Sequence, residues 1–229
     1  MLNRAHRTVT VVTPWLRHEE LAPAYFAAIA AGTPDELIVV DNGSNPALEF
    51  AHVRFQRNRG FQRACNYGLR AASSEAVVFL NNDVEMTDPA WLDRIRAELR
   101  PGALVGAALR ADEHTAVDGT VVAYLEGWCV AGMRDDLLAI GGWDESLAEP
   151  SYFGDNLLSL RARQAGLELV EVAPGLRHLG GMTSSMFPRW YATEANQGIY
   201  EQAVRDARTA TAGIAGHAWN LDEIGAFLG

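Results

Sequence analysis

Three strand-length apolar runs punctuate the first part of the chain, and each ends in a cluster of small or polar residues. Thr8-Val9-Thr10-Val11-Val12-Thr13 runs into Pro14, which reads as the stop of that strand. Leu37-Ile38-Val39-Val40 runs into Asp41-Asn42-Gly43-Ser44, and Ala76-Val77-Val78-Phe79-Leu80 runs into Asn81-Asn82-Asp83. Unbroken apolar runs of this length belong to strands buried on both faces, the condition of a parallel sheet. Helical spacing fills the gaps between them. Leu21, Phe26 and Ile29 mark a loose amphipathic helix over residues 19–31 that ends at Gly32. Phe61, Ala64, Cys65, Gly68, Leu69 and Ala72 define one apolar face. Asp88-Pro89 reads as an N-cap followed by proline at the first helical position, opening a helix through Leu99. The alternation predicts an α/β, Rossmann-like architecture: a mostly parallel central sheet flanked by helices. Ligands bind beyond the carboxyl ends of such strands, which is where the three clusters fall.

The second half is less regular. Residues 53–55 read as a short strand, as do residues 103–109 and 120–124, with a short helix over 134–140. Gly154-Asp155-Asn156 opens a helix to Gln164, residues 167–172 alternate like a strand, and the tail from about Trp190 is helical in pattern. No internal repeat, low-complexity segment or linker interrupts the chain, so residues 1–229 are expected to form a single domain.

Composition narrows the function classes. The net charge is −10, from 29 acidic and 19 basic residues, which argues against a general nucleic-acid binder but leaves room for a nucleotide in a local site. Cys65 and Cys129 form no Cys-x-x-Cys pair, so a zinc cage is not indicated and two buried thiols are favoured over a disulfide. The basic start, residues 1–7, leads into an apolar run too short for a signal-peptide core, and no stretch of about 18 apolar residues exists. The expectation is a soluble, cytoplasmic protein without a transmembrane segment, with peripheral attachment to the inner membrane and a homodimer left open.

Asn81-Asn82-Asp83 follows a buried strand, so its side chains emerge from a rigid edge. A carboxylate held there suits a hard divalent cation such as Mg²⁺ or Mn²⁺, which would bridge diphosphate oxygens. The alternative is a turn in which Asn and Asp satisfy local backbone groups.

Taken together, Val39-Val40-Asp41-Asn42-Gly43-Ser44, then Asn58-Arg59-Gly60-Phe61 with Asn66 and Gly68, then Leu80-Asn81-Asn82-Asp83-Val84-Glu85, resemble family 2 glycosyltransferases of the GT-A fold over residues 8–185. The resemblance implies a nucleoside-diphosphate sugar donor, a divalent metal (Mn²⁺ or Mg²⁺) and inversion at the anomeric carbon. It implies that Thr13 and Pro14 line the nucleotide pocket, that Asp41 accepts a hydrogen bond from the base, and that Asn58, Arg59 and Gly60 lie against the nucleotide, with Asn66 in the same motif. Asn81, Asn82 and Asp83 then occupy the family's Asp-x-Asp position with Asn81 replacing the first Asp. Asp83 becomes the metal ligand, Asn81 a ribose or water contact, and Glu85 a solvated neighbour.

Downstream, Gly127-Trp128-Cys129 and Gly141-Gly142-Trp143-Asp144-Glu145 resemble the family's acceptor side. Trp128 would offer its face to a sugar ring, whereas Trp143 is expected in the core and Asp144 at a local turn. The segment from Tyr152 to Arg163 resembles the Glu-Asp-x-Asp-Leu helix start, with Asp155 at the position of the catalytic base and Gly154 and Leu157 replacing the flanking acids. An inverting transfer needs one such carboxylate to take the acceptor's proton; the alternative role for Asp155 is the helix N-cap. His178 matches a family histidine that completes the metal site, and the Gly-Gly-Met-Thr-Ser behind it suits a loop over a diphosphate.

The expected function is therefore a metal-dependent inverting transfer of a sugar from a nucleoside diphosphate to an acceptor hydroxyl on a carbohydrate, lipid-linked or small-molecule acceptor. Residues 1–110 would form the donor half, 111–189 the acceptor half and 190–229 a helical tail. The departures at Gly154 and Leu157 motivate the rival expectation of a non-catalytic nucleotide-sugar-binding protein. A nicotinamide oxidoreductase is set aside, because the first strand is followed by Thr13 to His18 without a glycine.

Overall fold

The computed structural model describes residues 7–117, 120–149, 152–180 and 189–212. The Gly181-to-Ser184 loop expected to follow His178, and the tail beyond residue 212, lie outside the described residues. In chain order the elements are β1 (Val9–Trp15), a 3-10 turn (Glu19–Leu21), α1 (Ala22–Gly32), β2 (Glu36–Asp41), β3 (Val53–Arg54), α2 (Phe61–Ala71), β4 (Ala76–Leu80) and β5 (Val84–Met86). There follow α3 (Trp91–Glu98), β6 (Ala103–Gly106), β7 (Leu109–Val117), β8 (Thr120–Leu125), β9 (Cys129–Met133), α4 (Arg134–Ala139), α5 (Gly154–Gln164), β10 (Glu168–Glu171), β11 (Leu176–His178) and α6 (Arg189–Ala212).

The central sheet has seven strands in the order β10-β6-β9-β4-β1-β2-β3. Every pairing is parallel except those of β9, which runs antiparallel to both β4 and β6. This is the expected mostly parallel sheet, with one antiparallel strand that the sequence pattern did not announce. Alternate residues of the apolar runs feed two cores. Val9, Val11, Val78 and Leu80 pack with Tyr25, Trp91 and Ile95 on one face. Val12, Val77 and Phe79 pack with Leu69, Trp143 and Leu158 on the other. Gly68 lets α2 lie directly on β1, since a Cβ there would sit 2.2 Å from Val12 Cγ1. A third cluster docks α6 on α5 through Leu157, Leu160, Tyr200 and Val204.

Two expectations need correction. Pro14 does not stop β1, which continues to Trp15 with Pro14 opposite Val40. The carbonyls of Val9 and Trp15 accept from the β2 side, so Pro14, of opposite parity, faces β4. That ladder has already ended at Val12–Phe79, so no donor is missed. Asp88 is not the N-cap of α3. Its Oδ1 accepts from Ala90 N–H at 2.9 Å, its carboxylate holds Arg94, and the helix begins two residues late, at Trp91. The thiols behave as expected: Cys65 and Cys129 are free and buried on opposite faces of the sheet, and burial pushes Cys129 up to about 12.

The parallel order puts the carboxyl ends of β1, β2 and β4 side by side. Because β9 is antiparallel, with Cys129 opposite Leu80, the loop before it, residues 126–128, arrives at the same end. β5 and β11 form a separate two-stranded ribbon there, with His178 opposite Val84.

Candidate active site

The loop after β2 is closed on itself. Asp41 is fully buried, and its carboxylate accepts from Ser44 N–H at 2.7 Å and Leu48 N–H at 3.2 Å, with Arg54 Nε 3.5 Å away. Asn42 Nδ2 donates to Asn58 Oδ1 at 2.9 Å, and Asn42 Oδ1 accepts from Arg59 N–H at 2.9 Å. Asn58 Oδ1 also accepts from Gly60 N–H at 2.9 Å. Gly43 makes this lacing possible: its φ is +90°, and a Cβ would lie 2.3 Å from the Arg57 carbonyl carbon. The Arg59 side chain is exposed, its guanidinium 5.6 Å from the Phe55 ring centroid. Thr13 is buried against the Tyr25 hydroxyl, to which it is hydrogen-bonded.

Asn66 lies elsewhere. Its Nδ2 donates to Trp143 O and Glu145 Oε1, and its Oδ1 accepts from Trp143 N–H at 2.9 Å. Asn66 thus ties α2 to the Trp143 backbone and to the Glu145 side chain. Trp143 is core, edge-on to Phe61 and Phe79, and Asp144 holds its local turn through Ser146.

The loop after β4 is different. Asp83 is 3% exposed, and its Oδ1 lies 3.0 Å from His178 Nε2. The β5–β11 ribbon delivers that imidazole, and Leu179 N–H bonding Asp83 O closes the register. Asn81 Nδ2 is 3.4 Å from the same imidazole nitrogen. Asn82 is buried with Nδ2 lacking a partner. Glu85 pairs with Arg177 across the ribbon, as a solvated neighbour should. Among the described residues no group of three or more His, Cys, Asp or Glu converges. Asp83 and His178, with Oδ1 and Nε2 3.0 Å apart, are the pair that could hold a divalent cation at this edge.

The loop Glu126-Gly127-Trp128 joins this pair to the third feature. The Trp128 indole stacks on His178 with centroids 5.3 Å apart and planes 6° apart, and Trp128 O accepts from Asn81 N–H at 2.9 Å. Glu126 steadies the indole by accepting from Trp128 Nε1 at 3.0 Å while Arg110 Nε donates to its other oxygen at 2.9 Å. Gly127 N–H donates to Asp155 Oδ2 at 3.0 Å. Asp155 is half-buried in the first turn of α5, yet it is not the N-cap: Phe153, at φ 69°, holds that position. Desolvation pushes the Asp155 carboxyl up to about 6; the nearby Glu126 adds to the shift, and the amides of Gly127 and Asn156 oppose it.

A family model described as glycosyl transferase family 2 matches residues 10–128, just over half of the chain. The chain belongs to that family. An uncharacterized glycosyltransferase of Mycobacterium tuberculosis is 38% identical over 101 residues, 42% of this chain and 45% of that one. The O-antigen biosynthesis protein RfbC of Myxococcus xanthus is 37% identical over 136 residues, 52% of this chain and 11% of that one. The family 2 chain thus aligns with less than half the length of either curated relative. Among solved structures, the mannosyltransferase PcManGT of Pyrobaculum calidifontis, in complex with GDP-Man and Mn²⁺, superposes with a TM-score of 0.59 at 16% identity, covering 98% of this chain and 81% of that one. The fold is GT-A.

Of the two departures at the α5 start, the one at Leu157 has a packing cause. Leu157 is 2% exposed and lies under α6, where a carboxylate would be stranded. A Cβ at Gly154 would meet Gln62 Nε2 at 3.0 Å. Sequence reasoning missed Asn42, Glu126 and Glu149, whose Oε1 accepts from Phe61 N–H at 2.8 Å. Asn42 was visible within its motif; the other two depend on partners distant in sequence.

Proposed function

We propose that this chain transfers a sugar, with inversion, from a nucleoside-diphosphate donor to an acceptor hydroxyl, using a divalent metal held by Asp83 and His178. The observation that carries the reading is Asp155: a carboxylate pushed up to about 6 and bonded to the same three-residue loop that stacks on His178. A general base works best with a pKa close to the operating pH. Ionised Asp155 takes the proton of the acceptor hydroxyl as that oxygen attacks the anomeric carbon, with the nucleoside diphosphate departing on the opposite side. When bound, the metal neutralises charge on the departing diphosphate. Trp128 offers its face to a sugar ring, and Asn81 lies where it can meet ribose or a water.

The residues 1–110 serve as the donor half and 111–189 as the acceptor half, with residues 190–229 as a tail. Asn58, Arg59 and Gly60 border the nucleotide, and the buried Thr13, Pro14 and Asp41 brace the strand ends beneath it. GDP-Man and Mn²⁺ in the Pyrobaculum neighbour support the donor and metal classes.

The test is thermal unfolding with UDP, dTDP and GDP, each with and without Mn²⁺. One nucleotide should raise the midpoint only when Mn²⁺ is present. Asp155→Asn should keep that shift and lose transfer; an Asn variant that still transfers at the wild-type rate removes Asp155 from the mechanism.

A further inference from the structure

Charge is unevenly distributed along this acidic chain. Between Glu49 and Glu75 it carries Arg54, Arg57, Arg59, Arg63 and Arg70 and no carboxylate, against a total of −10 for the whole. All five arginines are exposed. Arg57 and Arg59 lie in the β3–α2 loop and Arg63 and Arg70 on the outer face of α2, whereas Arg54, between Val53 and Phe55 on the α2 side, turns to the opposite face of β3 toward Asp41. Arg63, Tyr67 and Arg70 stand at helical spacings of four and three residues, one stripe about 10 Å long. Phe55 connects that stripe to the strand: its ring is 5.7 Å from Tyr67 and carries Arg59 above it at 5.6 Å.

The neutralisation of this surface is sparse. Glu145 approaches Arg63 and Arg70 at 3.6 and 3.7 Å, one carboxylate between two guanidiniums. Glu149 adds a second carboxylate at the start of α2, where it accepts from Phe61 N–H at 2.8 Å, so Arg57, Arg59, Arg63 and Arg70 outnumber these acids two to one. Tyr67, at 39% exposure, is one of the few large apolar groups on the surface of the described residues, and it stands in the middle of the arginines.

We infer that this face, Arg57, Arg63 and Arg70 around Phe55 and Tyr67, docks the protein on an anionic lipid bilayer. The stripe runs along α2 away from Asn58–Gly60, so one small anion at the loop cannot cover it; an extended anionic surface can. Arginine side chains gain from anionic headgroups, and aromatic rings favour the headgroup level, so the mixture fits a bilayer better than a uniformly polar polyanion. The excess negative charge elsewhere orients the molecule with this face toward the membrane, and beyond about 8 Å its repulsion is screened by physiological salt. No described helix is long and apolar enough to cross a membrane. The docking holds whether or not the sugar-transfer reading does.

The test is co-sedimentation of the full chain with phosphatidylcholine vesicles, with and without phosphatidylglycerol, at low and high salt. Wild type should partition onto the anionic vesicles alone and be released by salt. Arg57→Gln/Arg63→Gln/Arg70→Gln avoids every residue assigned to the active site. It should weaken partitioning about fivefold per arginine, roughly a hundredfold in all, with an unchanged circular dichroism spectrum and the same nucleotide-dependent thermal shift as wild type. Tyr67→Ser should weaken it further. The inference is overturned if wild type ignores anionic vesicles, if it binds neutral ones equally, if the triple variant binds like wild type, or if only duplex RNA or DNA retains the protein.

Discussion

The loops after β2 and β4 begin alike, each an Asn- and Asp-rich turn at the carboxyl end of a buried strand, and the structure uses them in opposite ways. In the first, Asp41, Asn42 and Asn58 hydrogen-bond within the loops that they build, to backbone amides and to one another. In the second, Asp83 meets an imidazole from a distant ribbon, Asn81 approaches the same nitrogen, and Asn82 Nδ2 has no partner. Polar groups saturated by their own turn act as scaffold. Those directed at one another across elements depend on the packing of segments distant in the chain. Asp155 belongs with the second group, since its amide partners do not offset the desolvation that raises it.

That contrast can be broken by substitution. The largest effect is expected at Asp155. Asp155→Asn should lower the transfer rate by about 10²–10⁴-fold, measured with the donor and metal identified by thermal shift. Its stability should move the other way. The folded pKa of about 6 exceeds the ordinary 3.8, so this carboxyl favours folding below pH 4, and that contribution is lost as pH rises through 6. Above pH 6 the Asn variant should therefore unfold at a temperature equal to or higher than wild type; a clear loss there would make Asp155 structural.

Asp41→Ala comes next. It strands the amides of Ser44 and Leu48 in a buried loop and should cost about 3 kcal/mol in a urea titration. Gly43→Ala tests the same loop through its backbone, at φ +90° and with the Arg57 carbonyl carbon 2.3 Å from the added methyl. A loss of about 2 kcal/mol is expected. In wild type, kcat/KM should rise as pH increases through about 6 and level off above it, because the base must be ionised. A profile that falls over that range would assign another group. The smallest change in stability belongs to Asp83→Asn, within about 1 kcal/mol of wild type, with the Mn²⁺-dependent nucleotide shift abolished. If Asp83→Asn proves as destabilising as Asp41→Ala, the two loops are both scaffold and the contrast fails.

Much of the scaffold was legible in the chain. β1, β2 and β4 announce themselves because strands buried on both faces must be apolar throughout, and α2 does so because one face must be. β5 and β11 were not legible: each has three residues and exists by pairing with the other. β9 was read as an acceptor segment, because Trp128-Cys129-Val130 carries both a site residue and the start of a strand. The helix start at Asp88-Pro89 slipped by two residues because Asp88 caps the turn before the helix.

The site was legible as a set of residues and illegible as a division of labour. Asn66 shares a motif with Asn58, yet its amide ties α2 to the Trp143 backbone, 77 residues away. The sequence by itself determined the parallel sheet and the placement of Asp41 and Asp83 at its carboxyl edge, since apolar periodicity and turn chemistry are local. Which carboxylates meet distant partners was settled by packing. Asp41 finds its amides three and seven residues away, within its own turn. Asp83 finds His178 across 95 residues and Asp155 finds Gly127 across 28. Hydrogen-bond saturation and desolvation depend on which distant groups the packing brings near, and no local pattern encodes them.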